Sequence, residues 1–239
     1  MFWAKRFWPV LFVVGGILGQ GCVALAGPPD YAAERARMVD RLRRNGIASQ
    51  HVLAAMHSVP RHLFCSPGDR ERAYDELTIP VGGGQALYQP QIVAQATQML
   101  NLKPGRKVLQ IGAGCGYCTA VLSEITQNVY AVDLRRDVLN PAKARLQALG
   151  YSSVTWKPGK ACQGWSEHAP FDAILVTCAA DAVPEALVKQ LKDGGRMVIP
   201  VGRGPEQTLT CLVKSGGRLR SEVIMPVRMD PMVCQPPLP

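Results

Sequence analysis

Aromatic residues and histidines are scarce in this 239-residue sequence, since Phe, Trp and Tyr make up 6% of it and it has four histidines. The histidines lack the spacing of a metal-binding helix, so we predict no metal site. The few aromatic residues do not alternate with basic ones, which argues against a nucleic acid partner. The sequence contains no internal repeat either.

Acidic residues are also few, because 18 of them stand against 27 lysines and arginines, for a formal net charge of +9. Part of this excess lies in one predicted helix over residues 31–44. Its arginines are Arg35, Arg37, Arg41, Arg43 and Arg44. A solvated basic face is one interpretation of this cluster, and a surface for an acidic partner or lipid headgroups is the other.

The longest apolar run, near the amino terminus, is too short for a typical transmembrane helix and is interrupted by glycines. Lys5 and Arg6 precede it, and the small-residue cleavage sequence Ala24-Leu25-Ala26 follows it. We therefore predict a signal peptide at residues 1–26, an exported or periplasmic protein, and no stable membrane span after cleavage. An uncleaved anchor and a cytoplasmic location are the alternatives.

The eight cysteines include one inside the predicted signal peptide, so its removal leaves an odd number. In an oxidising compartment at least one thiol would then be unpaired or paired outside the chain. Cys115 and Cys118 form a C-x-x-C motif at the start of a predicted helix. The helix dipole there is expected to lower the pKa of the first thiol, which is typical of a redox pair.

The most specific motif is Gly-x-Gly-x-Gly at residues 112–116, which follows an apolar strand at 107–111. The next apolar strand ends at Asp133, about twenty residues later. Glycines let backbone amides approach a ligand, and an acid at that place can accept hydrogen bonds from both ribose hydroxyls. The third glycine comes one residue too early for a dinucleotide fingerprint, which favours S-adenosylmethionine over NAD.

The alternation of predicted elements indicates an α/β fold with a doubly wound parallel sheet. Strands are predicted at 107–111, 128–133, 153–157, 172–177 and 195–200, and helices from 117, at 135–149 and at 184–191. A helical extension at 27–58, with helices at 31–44 and 49–57, precedes a domain at 59–234. A helix at 90–100, antiparallel strands at 208–213 and 219–226, and a tail at 235–239 complete the prediction.

Several segments form one pattern between residues 59 and 232. They are Val-Pro-Arg-His-Leu-Phe at 59–64, Gly-x-Gly-Gln at 82–85, Gln-Pro at 89–90, Leu-Lys-Pro-Gly at 102–105, Gly-x-Gly-x-Gly-Tyr at 112–117, and the segments 164–174 and 195–202. In this order and spacing they resemble the protein-L-isoaspartate O-methyltransferase family. The resemblance implies a Rossmann-like methyltransferase fold with an N-terminal helical extension and C-terminal antiparallel strands.

The resemblance also implies an activity, which is methyl transfer from S-adenosylmethionine to the α-carboxyl group of an isoaspartyl residue in a damaged protein. The implied cofactor-binding residues are Gly112, Gly114, Gly116 and Asp133, and the resemblance places Asp133 at the ribose. The implied acceptor site lies under the loop at 82–90, whose residues include Gly84, Gln85 and Gln89. We expect a damaged protein or peptide as partner and a monomeric chain.

Three positions depart from the family pattern. Tyr88 stands where the family has a serine whose hydroxyl orients the acceptor carboxylate, so Tyr88 is the catalytic candidate. Gln110 stands where most members have a glutamate facing the cofactor ammonium, so its neutral amide predicts weaker cofactor binding. Lys160 and Ala161 stand in the segment beside the adenine, and Lys160 replaces an acid there with a base.

On the same template, four cysteines approach one end of the sheet. They are Cys115, Cys118, Cys162 and Cys178. A disulfide, a thiol site, a metal site and simple packing of small side chains are the alternatives for this cluster. A second function follows from it, which is an exported relative that binds damaged or acidic protein segments without catalysis or acts through its thiols.

Overall fold

The computed structural model describes residues 30–234. The predicted signal peptide at 1–26 and the tail at 235–239 lie outside the described residues, so both stay predictions. Within residues 30–234, no helix is both long enough and apolar enough to cross a bilayer.

Two helices open the described chain. Helix α1 spans Tyr31–Arg44 and begins after Asp30, whose carboxylate accepts hydrogen bonds from two backbone amides of the first turn. Helix α2 spans Gln50–Ser58 and is capped in the same way by the hydroxyl of Ser49. Both helices agree with the sequence prediction. Their buried residues belong to the same apolar cluster as one face of the central sheet, so the extension packs as part of the main core.

The arginines of α1 are largely engaged within the chain. Arg37 and Arg43 each pair with an acidic residue one turn earlier on the exposed face of the helix. Arg41 donates a 2.6 Å hydrogen bond to the carbonyl oxygen of Tyr74. These contacts favour the solvated-face interpretation of the basic cluster.

The remaining helices and strands alternate as predicted, except that part of the predicted loop at 82–90 forms a strand. A hairpin of β1 (Ile79–Gly82) and β2 (Gln85–Leu87) precedes helix α3 (Pro90–Met99). The central strands are β3 (Val108–Ile111), β4 (Val129–Asp133), β5 (Thr155–Pro158), β6 (Phe171–Val176), β7 (Leu191–Arg203), β8 (Glu206–Ser215) and β9 (Arg218–Val227). Helices α4 (Tyr117–Ile125), α5 (Arg136–Ala148) and α6 (Glu185–Gln190) lie between them in the chain.

These seven strands form one sheet in the order β5-β4-β3-β6-β7-β8-β9. The strands from β5 to β7 are parallel, and β8 and β9 continue the same sheet in antiparallel orientation. The predicted doubly wound α/β fold with terminal antiparallel strands is thus confirmed. Strand β7 begins earlier than predicted, because Leu191 already pairs with Phe171 before an irregularity in the ladder.

The strand order reverses between β3 and β6, because the chain proceeds from β3 towards one edge of the sheet and later towards the other. Ligands of doubly wound proteins bind at such a reversal, outside the carboxyl ends of the strands. Strand β3 is buried on both faces, with Val108 in the core beside α2 and α4 and Leu109 in the core beside α6. The sheet therefore holds the ends of β3, β4 and β6 rigidly around this crevice.

Candidate active site

A cavity of about 520 Å³ opens at the carboxyl ends of the parallel strands. It is lined by residues that follow β3 to β6, by the hairpin and by the segment after β9. The predicted site residues that line it are Gln85, Tyr88, Gln110, Gly112, Gly114, Cys115, Cys118, Asp133, Ala161 and Cys178. Those that lie outside its lining are Gly84, Gln89, Gly116, Lys160 and Cys162.

The glycine motif forms the floor of the cavity. Gly112 follows β3 with a φ of +80°, and a Cβ there would lie 2.8 Å from the Thr177 hydroxyl oxygen, so only glycine fits. Gly116 has a φ of +91°, but a Cβ there would meet the side chain of Leu146 at 2.6 Å. Gly116 therefore allows α4 to pack against α5. Contrary to the prediction, it does not line the cavity.

Asp133 ends β4 and places its carboxylate in the cavity with only 9% of the residue exposed. One of its oxygens accepts a 3.1 Å hydrogen bond from the amide of Gly114, and the other accepts one of 3.0 Å from the amide of Arg135. Each carboxylate oxygen retains a further lone pair. The arrangement fits a ligand that presents two neighbouring hydroxyl groups, as a ribose does.

Gln110 is fully buried beneath the glycine motif. Its amide nitrogen lies 3.3 Å from the carbonyl oxygen of Gly112, which can only accept a hydrogen bond, and this contact fixes the orientation of the amide. Its oxygen accepts a 2.7 Å hydrogen bond from the Thr119 hydroxyl. The Thr119 hydroxyl uses one lone pair of the Gln110 oxygen and the NH₂ group faces the Gly112 carbonyl, so residue 110 presents a neutral amide to the cavity.

Ala161 and Lys160 separate at the end of β5. Ala161 is buried and lines the cavity, whereas Lys160 is exposed and lies outside the lining. Of these two predicted site residues, only Ala161 therefore contributes to the cavity wall.

The hairpin of β1 and β2 covers one side of the cavity. The side-chain oxygen of Gln85 lies close to Gly114, since a Cβ on that glycine would stand 3.0 Å from it. The guanidinium of Arg135 donates a hydrogen bond to the carbonyl oxygen of Gly83 and pairs with Asp137. Arg135 therefore links the end of β4 to the tip of the hairpin. Nothing in the sequence pattern singled out Arg135.

Tyr88 follows the hairpin and places its phenol against the segment after β9. The hydroxyl lies 3.2 Å from a carboxylate oxygen of Asp230 and 3.3 Å from the amide nitrogen of the same residue. Burial raises the pKa of Tyr88 well above its ordinary value, so the phenol stays protonated. Its proton points to Asp230, and the expectation that Tyr88 donates it to an acceptor carboxylate does not agree with this arrangement.

A sequence model of the protein-L-isoaspartate(D-aspartate) O-methyltransferase family matches residues 33–235. The chain belongs to this family. A protein-L-isoaspartate O-methyltransferase of Vibrio atlanticus is 46% identical to it over 197 residues, which cover 82% of this chain and 94% of the relative. One of Dictyoglomus thermophilum is 43% identical over 204 residues, which cover 85% of this chain and 93% of the relative.

Solved structures agree with the family assignment. A protein-L-isoaspartate O-methyltransferase structure superposes with a TM-score of 0.73 at 28% identity, over 82% of this chain and 65% of that one. This chain thus spans slightly less than two thirds of that protein. A Plasmodium falciparum structure described as a member of the family with S-adenosyl-L-homocysteine bound superposes with a TM-score of 0.73 at 22% identity, which shows the same fold.

The cysteines of this family member divide into two groups. Cys115, Cys118 and Cys178 line the cavity as free thiols, and burial raises the pKa of each, for Cys118 and Cys178 to about 12. The prediction that the helix dipole lowers the pKa of the first thiol is wrong, because desolvation is the larger effect. Cys162 does not join them, since it forms a disulfide with Cys234.

A metal-binding arrangement was one alternative for the cysteine cluster. Among residues 30–234, no group of three or more His, Cys, Asp or Glu side chains is placed to hold a metal ion. The three cavity thiols are small, partly buried side chains, and their protonated state fits the packing alternative.

The motif at 59–64 contains a buried arginine that supports the cavity, a role that the sequence analysis did not assign. Arg61 is fully buried and donates hydrogen bonds of 2.6 Å to the carbonyl oxygens of Ala73 and Tyr88. Its guanidinium also lies 4.8 Å from the centre of the Tyr117 ring. Arg61 therefore fixes the backbone that carries Tyr88 into the cavity.

Proposed function

We propose that this protein is an S-adenosylmethionine-dependent protein-L-isoaspartate O-methyltransferase that methylates the α-carboxyl group of isoaspartyl residues in damaged proteins. The observation that carries the proposal is the buried Asp133 carboxylate beside the glycine floor, in a chain of this family. Gly112 leaves a cradle that a Cβ would fill, and Asp133 offers acceptors for a ribose. These residues fit the cofactor.

In this assignment, Gly112, Gly114 and Asp133 hold the adenosine part of the cofactor, with Ala161 beside its base. S-adenosylmethionine, when bound, supplies an electrophilic methyl group. An isoaspartyl carboxylate is already a nucleophile, so the protein has to align it and exclude water rather than deprotonate it. The hairpin and Tyr88 cover the cavity on the side where the acceptor enters. The cavity thiols and the Tyr88 phenol are protonated at neutral pH and do not compete as nucleophiles.

The experiment combines binding with methyl transfer. Calorimetric titration with S-adenosylmethionine and S-adenosylhomocysteine should show binding of both, and radiolabelled methyl groups should appear on an isoaspartyl peptide. A peptide of the same sequence with ordinary aspartate is the matched control and should stay unlabelled. Cofactor binding without methylation of the isoaspartyl peptide would exclude the assigned acceptor, and absence of binding would exclude the enzyme.

We further propose that the protein is exported and acts as a monomer. The basic, apolar and small-residue segments at 1–26 support export, and so does the Cys162–Cys234 disulfide, which is typical of oxidising compartments. Fractionation of cells and light scattering test the two statements. The non-catalytic, thiol-based alternative is not favoured, because the family match covers most of the chain.

A further inference from the structure

The cavity has a second carboxylate besides Asp133, and it lies on the acceptor side. Asp230 follows β9, is exposed, and lines the cavity beside Tyr88 and Cys178. Its carboxylate accepts the hydrogen bond of the Tyr88 hydroxyl at 3.2 Å. The two residues are 142 positions apart in the chain, so the fold alone brings them together.

The segment that carries Asp230 is fixed on both sides. The Gln207 side chain accepts a 2.8 Å hydrogen bond from the Met229 amide and donates one of 3.1 Å to the Met229 carbonyl oxygen. The Ala179 backbone, just after β6, bonds to the Asp230 carbonyl oxygen at 2.8 Å and to the Met232 amide at 2.7 Å. The disulfide at Cys234 holds the end of the segment. Asp230 is therefore a positioned group and not part of a loose tail.

The charge of Asp230 is left without a cationic partner. Among residues 30–234, Asp230 takes part in none of the ion pairs, whereas Arg135, the cation at the same cavity, pairs with Asp137. Asp133 also lines the cavity, but both of its oxygens face backbone amides on the cofactor side. The Tyr88 phenol is neutral and contributes a hydrogen bond rather than a charge.

An uncompensated carboxylate here affects the choice of acceptor. The reacting isoaspartyl carboxyl must be ionised, and a second carboxylate nearby disfavours that ionised form in a partly desolvated cavity. A cation carried by the acceptor next to its isoaspartyl residue would offset this repulsion. An additional acid at the same place would increase it.

We propose that Asp230, positioned by Tyr88, selects acceptors by charge, favouring isoaspartyl segments with a lysine or arginine beside the reacting residue and disfavouring those with an acid there. This specificity rests on the proposed methyltransferase function. It makes Asp230 a specificity-determining residue.

Two isoaspartyl peptides test the proposal, identical except for a Lys or a Glu directly after the isoaspartyl residue. At low ionic strength the wild-type protein should prefer the Lys peptide about five-fold in kcat/KM, mainly through KM, and high salt should reduce the preference. Asp230→Asn keeps an acceptor for the Tyr88 hydroxyl and removes the charge, so the preference should fall to about two-fold or less. Asp193→Asn, at the opposite end of the sheet, is the matched control and should keep it.

A preference that persists unchanged in Asp230→Asn would overturn the proposal, and so would a wild-type protein that methylates both peptides equally. Fluorescence polarisation with labelled peptides supplies a readout independent of turnover, and there Asp230→Asn should gain affinity for the Glu peptide. A wild-type protein that binds cofactor and methylates neither peptide would instead contradict the proposed function. The two failures are therefore distinguishable.

Discussion

In the proposed assignment, the ligand-facing groups on the cofactor wall of the cavity are a glycine backbone and one carboxylate that come from the ends of adjacent strands. On the acceptor wall they are side chains of Tyr88 and Asp230, which lie 142 residues apart and meet only in the folded chain. The first wall is determined by β3, β4 and their register. The second depends on how the hairpin and the segment after β9 pack together.

This difference separates the cofactor-binding part of the proposed site from its acceptor-binding part. A cofactor of constant shape is held by backbone groups that a substitution changes only with difficulty. An acceptor that varies is recognised by side chains on connecting segments, which tolerate change more readily. Of the departures from the family pattern, Tyr88 falls on the acceptor wall, where its hydroxyl contacts Asp230.

The disulfide joins the two walls, because Cys162 follows Ala161 on the cofactor side and Cys234 ends the Asp230 segment. It closes a loop with a sequence separation of 72 residues. Reduction, or the double substitution Cys162→Ser with Cys234→Ser, should lower the free energy of unfolding by about 4 kcal/mol, because the unfolded chain gains conformational freedom. Denaturant titration measures the change.

The double variant is also the control for that experiment, because its unfolding midpoint should not respond to reductant. Equal midpoints for oxidised and reduced wild-type protein would show that the bond contributes nothing to stability.

Asp133→Ala tests the cofactor wall alone. Loss of the carboxylate removes the acceptors for the ribose hydroxyls, and hydrogen bonds to charged groups contribute about 2 kcal/mol, so the Kd for S-adenosylhomocysteine should rise roughly 30-fold. Calorimetry measures it, and Asp193→Ala is the control that should bind normally. If polarisation showed that the isoaspartyl peptide lost affinity as strongly as the cofactor, the division into two walls would be incorrect.

The cofactor wall could be predicted from the sequence because its signals are local. Gly112, Gly114 and Asp133 lie at fixed places after strands that the apolar pattern reveals, and parallel strand ends always meet at one edge. The family resemblance also predicted Ala161 at this wall. Gly116 was assigned to the ligand although it serves helix packing, since a close approach to Leu146 has no signature in sequence spacing.

The acceptor wall could not be predicted in this way. The contact between Tyr88 and Asp230 and the pairing of Cys162 with Cys234 depend on where the chain crosses after β9, which no periodicity specifies. The pKa prediction for the C-x-x-C motif was wrong for a different reason. Its position at a helix start suggested a lowered pKa, but the depth of burial, which the sequence does not show, raises the pKa of Cys115 and Cys118.

Gln110→Glu sharpens the cofactor side of the comparison. The new carboxylate would keep the hydrogen bond from Thr119 and face the Gly112 carbonyl oxygen, which repels it unless a cation lies nearby. Without ligand the variant should therefore unfold at a lower temperature. Bound S-adenosylmethionine should restore stability through its ammonium group. The variant should bind this cofactor about five-fold more tightly than the wild-type protein does.

Thermal unfolding with and without cofactor measures both effects of Gln110→Glu. Thr119→Val removes the same hydrogen bond to residue 110 without adding charge, so it should lower stability and leave the cofactor affinity unimproved. An affinity of Gln110→Glu equal to that of wild type would show that residue 110 does not face the charged end of the cofactor.

Tyr88→Ser should have the smallest effect and bears on the acceptor wall alone. The phenol proton is committed to Asp230, so it is not available to an acceptor carboxylate, whereas a serine hydroxyl is too short to reach the same partner and stays free to donate. We expect methyl transfer to an isoaspartyl peptide to rise about three-fold in kcat/KM, because one hydrogen bond contributes about 1 kcal/mol and the loss of packing offsets part of it. The cofactor Kd should not change. Tyr88→Phe removes the hydroxyl but keeps the ring, so it separates the two causes: a rise with Phe as large as with Ser would mean that release of Asp230, and not the serine hydroxyl, accelerates the reaction.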